Sequence, residues 1–96
     1  RSACQTFQTA LRFGRPLADT FAGDAETQSM LGGVLNNLGF LQQQLGETQA
    51  AKATYREAIT AQSSAVKLAP EVNRYRQYLR KHEENQRTIA NLGAAS

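Results

Sequence analysis

Tryptophan is absent from these 96 residues, and there is one cysteine, one histidine and two prolines. Each shortage closes a route. Cys4 has no partner for an internal disulfide and no nearby Cys or His with which to hold a metal. It therefore fits a reducing, cytoplasmic setting and a small apolar place in a helix rather than a reactive thiol. His82 stands alone, so patterns built on histidine pairs, such as His-Glu-x-x-His, cannot form. Glu83 and Glu84 adjoin it in sequence and so point elsewhere on a helix. No glycine-rich phosphate loop and no nucleophile elbow occurs. Alternating runs of β-branched residues are missing as well, which removes the usual signal for strands. The longest uncharged, mostly apolar stretch runs from Met30 to Leu41 and is too short to span a bilayer. No signal peptide is visible, and a chain beginning at Arg1 rather than Met is expected to be a fragment of a longer protein. No catalytic residue, cofactor or metal is expected, so the segment reads as a non-enzyme.

What is abundant favours helices: Ala, Gln, Leu and Glu, in a chain long enough for one small domain. Phe7, Ala10, Leu11 and Phe13 recur at helical spacing. Gly14-Arg15-Pro16 should then kink or break the helix, since proline removes a donor and restricts the residue before it. Ala22-Gly23-Asp24 reads as a loop, with Asp24 an N-cap. From Ala25 to Leu45 the stripe Leu31, Val34, Leu35, Leu38, Leu41 and Leu45 predicts the best-defined helix, with Gly32, Gly33 and Gly39 permitting close packing. Gly46 should end it in a left-handed conformation. Glu47 or Thr48 starts a third helix, which uses Ala50, Ala51, Tyr55, Ala58, Ile59 and Val66 and runs to about Ala69. Pro70 suits the first position of a fourth. That helix carries Val72, Tyr75, Tyr78, Leu79, Ile89 and Leu92, is weakened in the middle by His82 and Gln86, and ends at Gly93, with residues 94–96 fraying.

Two longer-range features matter for function. Charge is uneven: residues 1–48 hold three basic and four acidic residues, residues 49–96 eight basic and four acidic, giving −1 and +4 within a net +3. The excess collects around Arg74, Arg76, Arg80, Lys81 and Arg87. There is also an internal echo at an offset of 48 residues, in which Phe7, Ala10 and Leu11 meet Tyr55, Ala58 and Ile59, Leu31 meets Leu79, and Asn37 meets Asn85. Several matches in one register suggest a degenerate repeat of helix pairs.

Leu35, Leu38, Gly39, Gly46, Ala51, Tyr55 and Ala58 resemble the signature of a tetratricopeptide repeat. The match covers residues 32–65. Phe7 and Ala10 resemble the second helix of a preceding repeat, and 70–92 a following first helix in which Gln86 and Arg87 replace Leu-Gly, as in a capping helix. The repeat exceeds the family's roughly 34 residues. In this it resembles the long repeats of kinesin light chain and of arrays attached to bacterial serine/threonine protein kinases. The resemblance implies an all-α chain of about four helices in antiparallel hairpins of a right-handed superhelix. Residues 1–96 form a single domain: 2–22 a half-repeat kinked near 14–16, 25–69 one complete long repeat, and 70–92 the cap.

The same resemblance implies a protein-interaction scaffold without enzyme activity, with a groove lined by Gly33, Asn36, Asn37, Phe40, Gln43 and Gln44. An amide side chain can both donate to and accept from an extended peptide, so Asn36 and Asn37 are candidate clamps and Phe40 an apolar contact. The plainer alternative is that Asn37 bonds a neighbouring helix and Asn36 is solvated. Residues 25–45 contain no Lys or Arg, which disfavours recognition of a C-terminal carboxylate. A second class of function is nucleic-acid binding by the last helix through Arg74, Arg80, Lys81 and Arg87, with Tyr75 and Tyr78 stacking on bases. Against it, Glu71, Glu83 and Glu84 dilute the cluster, so that a solvated polar face accounts for it more simply and nucleic acid is the weaker expectation. Phe7, Leu11 and Phe13 lack a repeat partner, from which a homodimer or swapped helices burying that end is expected.

Overall fold

The computed structural model describes the backbone of residues 2–95 and the side chains of residues 5–91. The expectations for the side chains of Cys4 and Leu92, and for Ser96, therefore lie outside the described residues. Four helices follow in order: α1 (Ser2–Thr20), α2 (Ala25–Gln44), α3 (Thr48–Leu68) and α4 (Asn73–Ala95). There is no strand among the described residues, and the chain is all-α.

Successive helices run antiparallel. Ala18 meets Gln28 across the first turn, Gln42 meets Thr54 across the second, and Gln62 meets Tyr75 across the third. α2 occupies the centre and packs on the other three, with α3 its most extensive neighbour. α2 and α4 lie side by side and parallel, joined by Asn85 Nδ2 donating to Asn36 Oδ1 at 3.0 Å.

The caps follow the sequence. Asp24 accepts from the Thr27 backbone N–H at 3.1 Å and also from the Thr27 hydroxyl, satisfying a free donor at the start of α2. At its other end Gly46 has φ +82°, and two bonds close a Schellman turn. Gly46 N–H donates to the Gln43 carbonyl at 3.1 Å and Glu47 N–H to the Gln42 carbonyl at 2.9 Å.

The α2–α3 interface explains the glycines. A Cβ on Gly39 would stand 2.7 Å from the Tyr55 ring. One on Gly32 would stand 2.9 Å from Gln62 Oε1 and 3.2 Å from the Ala58 carbonyl. Glycine at both positions lets the tyrosine and the glutamine occupy the crossing. Leu11, Leu35, Leu38 and Ala58 form one buried cluster, backed by Phe7, Leu31 and Val34. Ala51, Tyr55 and Ile89 form a second between α3 and α4.

Several expectations are corrected. No break occurs at residues 14–16: α1 is continuous with Pro16 inside it. Proline costs the Arg12 carbonyl its i+4 partner. Leu11 and Ala18, two turns apart on either side of it, are both buried against the rest of the fold and hold the helix together. Pro70 is not in α4 but in the turn before it, where Val72 N–H donates to the Ala69 carbonyl at 3.1 Å; proline's fixed φ suits the second position of such a turn. Gly93 does not end α4, which continues to Ala95. His82 does not weaken α4's packed face but belongs to it, since Tyr75, His82 and Ile89, seven apart, are all buried. Gly33 permits no close approach, for nothing lies within 4 Å of where its Cβ would be. Leu11 needs no external cover, being buried within the chain, whereas Phe13 is 72% exposed.

A candidate peptide-binding trough

Gly33, Asn36 and Asn37 lie along one side of α2, and the parallel course of α4 sets Tyr78, Lys81 and His82 opposite them. Together with Ser29 these residues enclose a cleft of about 280 Å³. A second cleft of about 220 Å³, lined by Glu26, Ser29, Met30, Arg74, Tyr75 and Tyr78, adjoins it. Ser29 and Tyr78 are common to both, so one trough follows the α2–α4 seam. Gly33 opens its floor because no side chain fills the space there.

Polar groups at the trough are fixed from behind. Gln62, fully buried on α3, donates through Nε2 to Ser29 Oγ and to the Tyr75 carbonyl, each at 3.1 Å. This one amide ties α2, α3 and α4 together beneath the trough. Asn36 is half-buried, with its Oδ1 taken by Asn85. Asn37 is exposed. The bond to a neighbouring helix that the plainer alternative gave to Asn37 is made by Asn36.

His82 is the unusual member. It is only 5% exposed, and neither ring nitrogen has a hydrogen-bond partner. Burial lowers its pKa below the ordinary 6.5, because desolvation disfavours the charged ring. A neutral imidazole offers one donor and one acceptor, and leaving such groups unpaired in an interior costs about 1–3 kcal/mol.

The other expected groove residues are distributed differently. Phe40 and Gln44 are exposed on α2 but line neither cleft. Gln43 is half-buried and its Oε1 accepts from the Tyr55 hydroxyl at 3.1 Å, so it serves the α2–α3 interface. The basic residues separate into two sets. Arg74 and Lys81 border the trough, with the Arg74 guanidinium 5.0 Å from the Tyr75 ring centre. Arg80 and Arg87 are exposed and border neither cleft. The trough thus has a cation, supplied by α4 rather than by α2. Ser29, Tyr78, Lys81 and His82 were not singled out as groove residues from the sequence. For the three on α4 the signal was the seven-residue spacing of Tyr75, His82 and Ile89, which marks the inward face of that helix; Ser29, on α2, had none.

Among the described residues no group of three or more His, Cys, Asp or Glu is placed to hold a metal. No described helix is long and apolar enough to cross a membrane. No protein-family model, curated protein or solved structure matches this chain.

Proposed function

We propose that the chain is a protein-interaction module of tetratricopeptide-like helical hairpins, and that it holds an extended segment of a partner protein in the α2–α4 trough. The observation that carries this reading is His82, a buried neutral imidazole with both nitrogens unpartnered on the wall of a cleft. An extended peptide has free N–H and C=O groups along its length, and on an opening of the α2–α4 seam it can supply the bonds that His82 lacks. Asn37 adds an amide at the rim, and Lys81 favours an acidic group on the ligand. The tetratricopeptide-like part of the proposal draws support from Gly39 against Tyr55, Gly32 against Ala58 and the Gly46 turn. It draws support too from the common offset of 48 residues between the end of α1 and that of α3, and between the start of α2 and that of α4. The long repeat also suits a scaffold or regulatory segment beside a kinase domain in the cytoplasm, as the resemblance implies.

The test is selection from a random displayed-peptide library, followed by titration of enriched peptides against variants. Asn37→Ala and Lys81→Glu should each weaken binding by roughly tenfold, about 1.4 kcal/mol. Phe40→Ala and Gln44→Ala, outside the trough, should leave it unchanged. Enriched peptides indifferent to Asn37 and Lys81 would overturn the reading. The nucleic-acid alternative predicts instead an oligonucleotide affinity that falls steeply with salt and depends on Arg80 and Arg87.

A further inference from the structure

A further cavity, of about 200 Å³, opens between α1 and α2. Ala10, Gly14 and Leu17 form one wall, and Thr27, Met30 and Val34 form much of the other. None of these six is buried, and Ala10, Leu17 and Met30 are exposed. Singly exposed apolar residues are ordinary; a contiguous set lining a groove marks an interaction surface.

The internal repeat identifies what belongs there. A shift of 48 residues carries Ala10, Gly14 and Leu17 onto Ala58, Gln62 and Ala65 of α3, and Thr27, Met30 and Val34 onto Tyr75, Tyr78 and His82 of α4. All of these but Tyr78 are buried, and α2 lies against the set. Gly32 crosses α3 at Ala58 and Gln62, Gln62 bonds Ser29, and Gly33 shares a cleft with Tyr78 and His82. The groove is thus the N-terminal counterpart of the seat that α3 and α4 give to α2, with no helix on it among the described residues. α2 reaches its seat from the Gly46 turn directly ahead of α3. By the same repeat, the counterpart helix comes directly ahead of α1.

We propose that an amphipathic helix preceding α1 in the same polypeptide fills this groove, antiparallel to α1 and parallel to α2. The seat specifies its side chains at two positions. α2 needs glycine at position 32, because a Cβ there would stand 2.9 Å from Gln62 Oε1. In the groove Gly14 takes the place of Gln62, and a Cβ added to it would meet only Leu31 Cδ1, at 3.9 Å. The preceding helix therefore carries a large apolar side chain where α2 carries Gly32. Four residues later α2 presents Asn36, whose Oδ1 accepts from Asn85 Nδ2. The shift carries Asn85 onto Asn37, which is exposed. The preceding helix therefore carries an amide, Asn or Gln, at this second position, where it accepts from Asn37. This inference does not rest on the peptide reading; the groove and the trough meet only at Met30 and Asn37.

A graft onto the full chain tests it. Residues 25–48, duplicated directly ahead of Arg1, restore the 48-residue spacing and bring a copy of α2 to the groove. One graft keeps Gly32 and a second carries Gly32→Leu; each is placed on the wild type and on Gly14→Gln. Both grafts also carry Met30→Leu, so that Met30 of the chain itself is the single methionine and its methyl resonance reports on the groove. On the wild type the Gly32→Leu graft should raise the folding constant at least about tenfold over the Gly32 graft, because leucine fills the space above Gly14. On Gly14→Gln, which rebuilds the Gln62 crossing, the order should reverse. Asn36→Ala within the graft should lower the folding constant by about fivefold. The Met30 resonance should move when the Gly32→Leu graft is present and should be independent of concentration in the ungrafted chain. The same order of grafts on both backgrounds, or a Met30 resonance that the graft leaves unmoved, would overturn the proposal. So would a resonance that moves with the concentration of the ungrafted chain, which would give the groove to a second copy.

Discussion

Glycine is pressed against tyrosine between α2 and α3, whereas between α1 and α2 a Cβ on Gly14 would meet only Leu31 Cδ1, at 3.9 Å. The first interface is closed because each glycine has a matched large partner: Gly39 with Tyr55, Gly32 with Gln62. The second is open because Gly14 has none. The same residue type thus fixes a fold at one crossing and leaves room at the other. What distinguishes them is the residue across the gap, not the glycine.

The largest effect should come from Tyr55→Ala. Tyr55 is fully buried, packs with Ala51 and Ile89, covers Gly39 and donates to Gln43. Truncating a buried aromatic typically costs about 3–5 kcal/mol, a large fraction of the stability of a domain this small. Chemical denaturation should show the midpoint collapsing or the cooperative transition vanishing. A loss below about 1 kcal/mol would mean that the interface is looser than its distances imply.

Next comes a pair of identical substitutions with opposite signs. Gly39→Ala drives a methyl into the Tyr55 ring, and overpacking of this kind costs about 1–3 kcal/mol. Gly14→Ala meets only ordinary van der Waals contact and gains helix propensity, so it should stabilise by up to about 1 kcal/mol. Denaturation midpoints of the two variants must move in opposite directions if the interfaces differ as described. Equal losses would erase the distinction.

This contrast also marks what the sequence disclosed. Leu35, Leu38, Gly39, Ala51, Tyr55 and Ala58 were identifiable because their packing is written in helical spacing, and every one of them is buried. Gly46 was identifiable because a left-handed turn demands glycine. Gln62 was not. Hydrophobic periodicity counts a glutamine as surface, yet this one is buried because both ends of its amide find partners on other helices. Pro16 misled for the converse reason, since a local penalty was outweighed by packing at Leu11 and Ala18. For the trough, α2 supplied Gly33, Asn36 and Asn37 by register, while the α4 wall depended on which helix lies parallel to α2, a fact that no local pattern contains.

The next expected effect appears only below neutral pH. His82 holds a depressed pKa in the folded chain, so the unfolded chain binds the proton more readily. Stability is then fully present above the ordinary value of 6.5 and is lost as pH falls through it toward the folded pKa. Carboxylates also weaken the fold in acid, so the comparison must be with His82→Leu, which removes only the imidazole's share. The wild type should lose more stability than the variant between pH 8 and about pH 5.5. Parallel pH profiles would show that the ring is reached by water after all, and would remove the support that the peptide-binding trough takes from it.

The smallest effect concerns the ion pair that links α1 to α3. Arg15 on α1 reaches Glu57 on α3 through two bonds, Nε to Oε2 at 2.7 Å and Nη2 to Oε1 at 2.8 Å. The bond to Glu57 raises the guanidinium pKa, partly offset by burial. The bidentate geometry is good, but both side chains are well exposed, and exposed pairs contribute about 0.2–1 kcal/mol and weaken with salt. A double-mutant cycle on Arg15→Ala and Glu57→Ala should return a coupling in that range that shrinks at high ionic strength. A coupling well above it would mean that α1 is held by this bridge more than by Leu11 and Ala18. In that event the continuity of α1 through Pro16 would have an electrostatic cause rather than a packing one. The cycle therefore decides which force carries the helix past its proline, even though the energy it measures is the least of the set.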